Sequence, residues 1–196
     1  MPLQPFDHYV ALAEQAHGHI CAGQILGLRL AIHGLELLGF DDPLGIHRKR
    51  LVTFVEIDRC ATDAVTVVTG CRMGKRALKF RDFGKVAATF CDLQDQRAVR
   101  VVALDSSKQK AREMFPDIAN RNEQQMKAYR LMPPEDLFSH QWVRVQIGPE
   151  DLPGYKGPKV SCALCGEGIN FGRELVRDDG SAICRACAGD RYYEPL

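Results

Sequence analysis

Apolar positions change their rhythm along the chain. Phe6, Val10 and Ala13 recur at helical spacing, which predicts a short amphipathic helix over residues 6–16. From 20 to 38 almost every position is apolar. That predicts a second helix, buried on most sides and stopped by Gly39. Gly23, Gly27 and Gly34 lower its propensity, so their expected use is close approach of another backbone or helix. A turn cluster follows at 39–43.

Strand-like runs come next. Residues 51–57 (LVTFVEI) are β-branched and partly alternating. Residues 86–93 and 98–104 are two more, and the polar 94–96 between them predicts a hairpin. Residues 62–70 are short and apolar, and periodicity does not type them. Residues 106–131 are polar helix formers, with Pro116 expected to interrupt them and to start a second helix. Residues 142–147 (WVRVQI) predict a last strand. Two helices followed by strands mixed with helices point to an α+β fold, a core of helices and antiparallel sheet. Glycines and prolines then crowd into 148–158. The expected organisation is a core domain over 1–148, a linker over 149–159 and a small cysteine-rich module over 160–196.

At 196 residues, 45% of them hydrophobic, the chain can bury a core without help from metal or disulfides. The net charge of +1 speaks against a nucleic-acid coat. The charge is uneven, however: residues 47–85 carry ten bases against four acids. Such a patch suits an anionic substrate or ligand, and the alternative is a solvated basic face. Residues 1–8 lack a secretory signal pattern, and Arg29, His33 and Glu36 break the apolar run, so no membrane span is expected. A cytoplasmic location follows as an expectation. Eight cysteines there read as metal ligands or thiols before disulfides.

Four of them form two CxxC pairs, Cys162 with Cys165 and Cys184 with Cys187, eighteen residues apart. Two knuckles of two thiolates complete a tetrahedral sulfur shell, which suits Zn2+. Four cysteines close the shell, so this zinc is expected to be structural. A hairpin turning at 178–180 and a helix start at the second pair would make a treble clef or zinc ribbon. With six bases and six acids over 156–196, protein contact is a better role for it than nucleic acid.

A second cluster, His17, His19 and Cys21, lies at the junction of the first two helices. These are preferred ligands of borderline-soft ions. The competing reading is a cap and turn around a buried thiol. Cys60 ends a strand-like run just before Asp63. Cys71 stands among Gly70, Gly74 and Lys75, as in an anion-cradling loop, but the ending of a phosphate-binding loop is missing. Cys91 reads as a buried hydrophobe.

Taken together, His17-Gly-His19-Ile-Cys21-Ala-Gly23, Cys60-Ala-Thr-Asp63, Thr69-Gly70-Cys71-Arg-Met-Gly74-Lys75 and Asp82-Phe-Gly84-Lys85 resemble the FmdE family, whose members include a subunit of formylmethanofuran dehydrogenase. The resemblance covers roughly residues 6–145. Ala22 stands where the family often has Pro, and Arg72 where it often has Thr. The resemblance implies an α+β domain, often dimeric, with His17, His19, Cys21, Cys60, Asp63 and Cys71 in one cleft and Lys75 and Lys85 near it. Tungsten or molybdenum chemistry belongs to other subunits of that enzyme.

Three readings follow. In the first, Cys21, Cys60 and one of His17 or His19 hold a second metal, with zinc expected. Asp63 and Lys75 then serve catalysis, and Lys85 helps hold an anionic one-carbon substrate in chemistry related to methanogenesis. In the second, the protein is a non-catalytic adaptor whose zinc module docks subunits of a redox complex. In the third, Cys21, Cys60 and Cys71 form a thiol-based redox or regulatory set, which needs two of them within about 7 Å between Cα atoms. A homodimer is expected through the apolar glycine-bearing helix, against the alternative that this helix is buried within one protomer.

Overall fold

Helix α1 (Phe6–His17) turns Tyr9, Val10 and Ala13 inward and ends at Gly18, whose φ of 87° only glycine adopts freely. Helix α2 (Ala22–Leu38) begins four residues later. Cys21 caps it in the way a serine would. Its sulfur accepts the Gln24 N–H, while the Gln24 side chain accepts the Cys21 N–H at 3.2 Å. Eleven of the seventeen α2 residues are buried. The computed structural model describes residues 2–195, in two compact units, Met1–Gln146 and Ile147–Leu196.

In the first unit, strand β1 (Leu51–Val55) leads into α3 (Cys60–Thr69), then a 3-10 turn (Met73–Lys75) and β2 (Leu78–Phe80). β2 pairs parallel with β1. Strands β3 (Ala87–Asp92) and β4 (Arg97–Ala103) form the expected hairpin. Helices α4 (Ser106–Met114), α5 (Arg121–Leu131) and α6 (Pro134–Leu137) precede β5 (Phe138–Val143). The sheet order is β2-β1-β3-β4-β5, antiparallel except for the first pair. This is an α+β architecture.

The glycines of α2 are used inside the unit. A Cβ on Gly27 would lie 2.6 Å from the Ala61 carbonyl oxygen, and one on Gly34 would lie 2.2 Å from the Phe90 ring. Small residues therefore let α3 press on one side of α2 and the sheet on another. α2 is a core helix, and a dimer would have to be built on other surfaces. Among the described residues no helix is long and apolar enough to cross a membrane.

Three elements differ from the sequence expectation. Residues 62–70 belong to helix α3 and its Gly70 cap. The second half of 106–131 begins at Asn120 and not at Pro116, because the Asn120 side chain accepts the N–H groups of Asn122 and Glu123 at 3.0 and 3.1 Å. The last strand runs over Phe138–Val143, earlier than 142–147. It is an edge strand with exposed Ser139, His140 and Gln141, so no apolar run marks its start.

In the second unit β6 (Lys159–Ser161) pairs with β7 (Gly168–Asn170), and β8 (Leu175–Val176) with β9 (Ala182–Ile183). The second hairpin turns over Asp178–Gly180, with the Gly180 N–H donating to the Arg177 carbonyl at 2.9 Å. The expected helix after β9 is reduced to a turn. The Ala188 N–H donates to the Cys184 carbonyl at 3.1 Å, and Gly189 (φ 102°) breaks the run.

Candidate functional site

In the second unit each CxxC forms a knuckle. The Gly166 N–H donates to the Cys162 carbonyl at 2.9 Å, with Gly166 at φ 77°. Sulfur takes up nearby amides: Cys184 N–H donates to Cys162 Sγ at 3.3 Å, and Cys187 N–H to Cys184 Sγ at 3.4 Å. The four sulfurs of Cys162, Cys165, Cys184 and Cys187 lie within 4.8 Å of one another, with Cys165 and Cys184 at 3.9 Å. A tetrahedral ion with bonds of about 2.3 Å needs sulfurs about 3.8 Å apart, so this quartet could hold a metal ion.

The electrostatics agree. Backbone N–H groups of Cys165 and Cys184 pull the Cys162 thiol down to about 6. Hydrogen bonds from the Cys184 and Cys165 thiols push Cys187 up to about 12. Four thiols around one point cannot all ionise unless a cation joins them. Among the described residues this is the group of His, Cys, Asp and Glu whose ligand atoms converge so closely.

The candidate residues of the first unit gather where three helices meet. His17 is the last residue of α1, Cys21 caps α2, and Cys60 opens α3. His17 Nδ1 lies 2.8 Å from Asp63 Oδ2, and the rings of His17 and His19 are 4.8 Å apart. The Cys60 thiol is pushed up by burial and by its hydrogen-bonding contact with the Cys21 thiol. A Cβ on Gly23 would meet Cys60 Cβ at 3.4 Å and Cys21 Sγ at 3.7 Å, so that glycine leaves room beside both thiols.

The remaining candidates separate. Cys71 is 3% exposed and bonded to Thr53 Oγ1 at 3.4 Å, with its thiol pushed up by burial. It follows α3 at the end opposite Cys60, about 15 Å along the helix. Lys75 is exposed in the 3-10 turn beyond it. Lys85 is exposed, but its N–H donates to the Glu56 carbonyl at 3.1 Å, at the end of β1 that leads to Cys60. Cys91 is buried and pushed up to about 12 by burial.

Sequence reasoning missed three supporting groups. Gln24, fully buried, ties the α2 start to the Ala13 carbonyl at 3.2 Å. Asn122, a hundred residues away, accepts the Ala22 N–H at 2.8 Å. Glu56 is buried in a two-pronged pair with Arg100 at 2.6 and 2.7 Å. Only Gln24 carried a signal, standing three residues after Cys21 as in a capping box.

Known proteins resemble this chain as follows. A family model described as FmdE, molybdenum formylmethanofuran dehydrogenase operon, matches residues 16–139. A curated protein of Archaeoglobus fulgidus, described as a probable S-adenosyl-L-methionine-binding protein, is 32% identical over 210 residues. The match takes in 97% of this chain but 55% of that protein, so the chain spans about half its length. A crystal structure of a tungsten formylmethanofuran dehydrogenase FmdE-like protein from Syntrophus aciditrophicus superposes with a TM-score of 0.64. It covers 96% of this chain and 95% of its own at 22% identity, a likeness of fold.

Proposed function

The chain belongs to the FmdE family, and from that premise we propose that it is a metalloprotein with two sites of opposite kinds. The Cys162, Cys165, Cys184 and Cys187 quartet holds a structural zinc. The first unit holds a second zinc through Cys21, Cys60 and His17, leaving a position open for water or substrate. The observation that carries this reading is the contact of the Cys21 and Cys60 thiols, together with a histidine four residues before Cys21 that Asp63, from the helix Cys60 opens, orients. The ligand atoms of this set do not converge as those of the quartet do. With Nδ1 of His17 turned to Asp63, Nε2 is left as the ligand atom, the arrangement in which a hydrogen-bonded carboxylate fixes a metal-binding imidazole. That favours His17 over the exposed His19.

When bound, an open zinc site supplies Lewis acidity and an acidified water. Asp63 orients His17, and Lys85 adds positive charge on the Cys60 side. Lys75, at the far end of α3, serves the wider basic patch. Among the described residues no disulfide joins the eight cysteines, which suits metal ligands in a reducing cytoplasm. Residues 149–159 serve as the linker between the core and the module.

Elemental analysis of anaerobically purified full-length protein tests both sites. About two ions per chain are expected. Cys162→Ser with Cys184→Ser should remove one, and Cys60→Ala the other. Unchanged occupancy in Cys60→Ala would sink the core assignment.

A second reading is favoured by the family's description, which names a dehydrogenase operon. Here the chain is a non-catalytic component of a larger complex, and its metal module docks partners. Co-purification with molybdenum or tungsten subunits, lost with the module cysteines, would support it. A free protein that turns over small molecules would exclude it.

A further inference from the structure

The residues of α3 at Asp63, Thr66, Val67 and Gly70 are spaced by three, four and seven, so they share one face. Opposite them α1 presents Leu12 and Ala16, four residues apart. Between the two faces lies a cavity of 440 Å³, large enough for a small ligand. Its third wall is Leu44. A Cβ on Gly70 would lie 2.4 Å from Leu44 Cδ2, so this leucine is seated directly on the end of α3.

The two ends of the groove carry opposite charges. Asp63 lies at the start, held by His17. Arg72 lies at the other end, two residues beyond the Gly70 cap. Arg72 is exposed, and its guanidinium forms no ion pair among the described residues. Asp63 and Gly70 are about 10 Å apart along the helix. Between the charged ends, Leu12, Ala16, Leu44 and Val67 offer mostly apolar surface, broken by Gln15 and by Thr66, whose hydroxyl donates to the Thr62 carbonyl at 3.1 Å. The surrounding segment 47–85 has a net charge of +6, from ten bases and four acids, which favours the approach of an anion.

We infer that this groove binds a small amphipathic anion, with its carboxylate or phosphate on Arg72 and its apolar body along Leu12, Leu44 and Val67. The far end of the ligand, a polar group, reaches the His17–Asp63 pair. This deepens the proposed core site, on whose reading it rests, by naming its substrate class. Arginine takes either anion through paired N–H donors, so the groove selects an anion on an apolar stem.

The test is calorimetric titration of the full-length protein with omega-hydroxyoctanoate. Octanediol, which lacks the anion, and octyl phosphate serve as comparisons. Saturable binding of the hydroxy acid is expected. Arg72→Glu should weaken it about tenfold or more. Arg72→Lys should keep part of it, octanediol should bind as poorly to wild type as the acid binds to Arg72→Glu, and Val67→Trp should abolish binding by filling the groove. Arg72 is exposed, so its variants fold. Octyl phosphate binding at least as well as the acid would identify a phosphate ligand. No binding to wild type, or equal affinity in wild type and Arg72→Glu, would overturn the inference.

The two readings fail separately. If no variant holds a core metal but binding still depends on Arg72, the metal reading fails and the groove stands. If core metal depends on Cys60 but the acid binds irrespective of Arg72, the groove alone fails.

Discussion

The first unit packs thirty buried residues into one cluster around α2, with Ile25, Leu28, Leu35 and Phe90 almost wholly out of water. The corresponding cluster of the second unit is Cys162, Ile169 and Ile183. A fully buried large apolar side chain contributes about 1.5–3 kcal/mol. Two isoleucines and a cysteine are too small a core to hold residues 147–196 folded, so the second unit needs a further bond to exist as a fold. In the first unit the reverse holds. Of its candidate ligands, Cys21 sits at a helix start already satisfied by Gln24 and Asn122, and His17 and Cys60 sit at the ends of helices packed into that core. A metal bound there, as proposed, would have no structural task, which would leave it free for chemistry.

Metal removal is the strongest way to break this comparison. A chelator should unfold 159–190 and leave α2, β3 and β4 protected, because structural zinc contributes about 10–16 kcal/mol to such modules. Hydrogen exchange read by mass spectrometry checks it. Loss of protection in both units, or in neither, would contradict the division. Acid should act in the same direction. The Cys162 thiol is held at about 6, below its ordinary 9.0. A depressed acid stabilises fully above its ordinary value and loses that contribution as pH falls through the folded value. Metal retention by the module should therefore weaken as pH falls and most steeply below about 6, where Cys162, held lowest of the ligand thiols, also takes up a proton, measured with a colorimetric metal indicator.

Next in size are cuts in the apolar core. Phe90 is fully buried, and Phe90→Ala should cost about 3–5 kcal/mol in urea unfolding of the first unit. Gly34→Ala forces a Cβ within 2.2 Å of that ring and should cost about 1–3 kcal/mol. Adding Phe90→Leu should recover part of the Gly34→Ala cost, a coupling that independent sites would not show. Neither change should alter the metal content of the quartet. If it did, the two units would not be independent folds.

The same contrast explains what the sequence revealed. The quartet was legible because its ligands come in two local pairs, whose spacing alone states the geometry. The α2 core was legible from an unbroken apolar run. The first-unit cluster was only half legible. His17, His19 and Cys21 are neighbours in sequence, but Cys60 and Asp63 reach them through the packing of α3 on α2 and α1, which no local pattern encodes. The family resemblance groups Cys71 and Lys75 with that cluster, yet a ten-residue helix carries them to its far end. Strand β5 escaped because an edge strand exposes polar residues in the middle of its length.

The smallest expected stability effect is the most informative about the core site. In the His17–Asp63 pair the carboxylate is 58% exposed and the imidazole 21%. An exposed pair contributes little, so Asp63→Asn should change unfolding free energy by under about 1 kcal/mol. Its effect on metal should be disproportionate, since removing an orienting carboxylate weakens a bound ion by about 10- to 100-fold. Competition with a zinc dye, on protein whose quartet is loaded first, separates the two quantities. A stability loss as large as that of Phe90→Ala would make Asp63 a structural residue. Unchanged core affinity would mean that His17 is not a ligand, and the imidazole of His19 would be the one left to test beside Cys21 and Cys60.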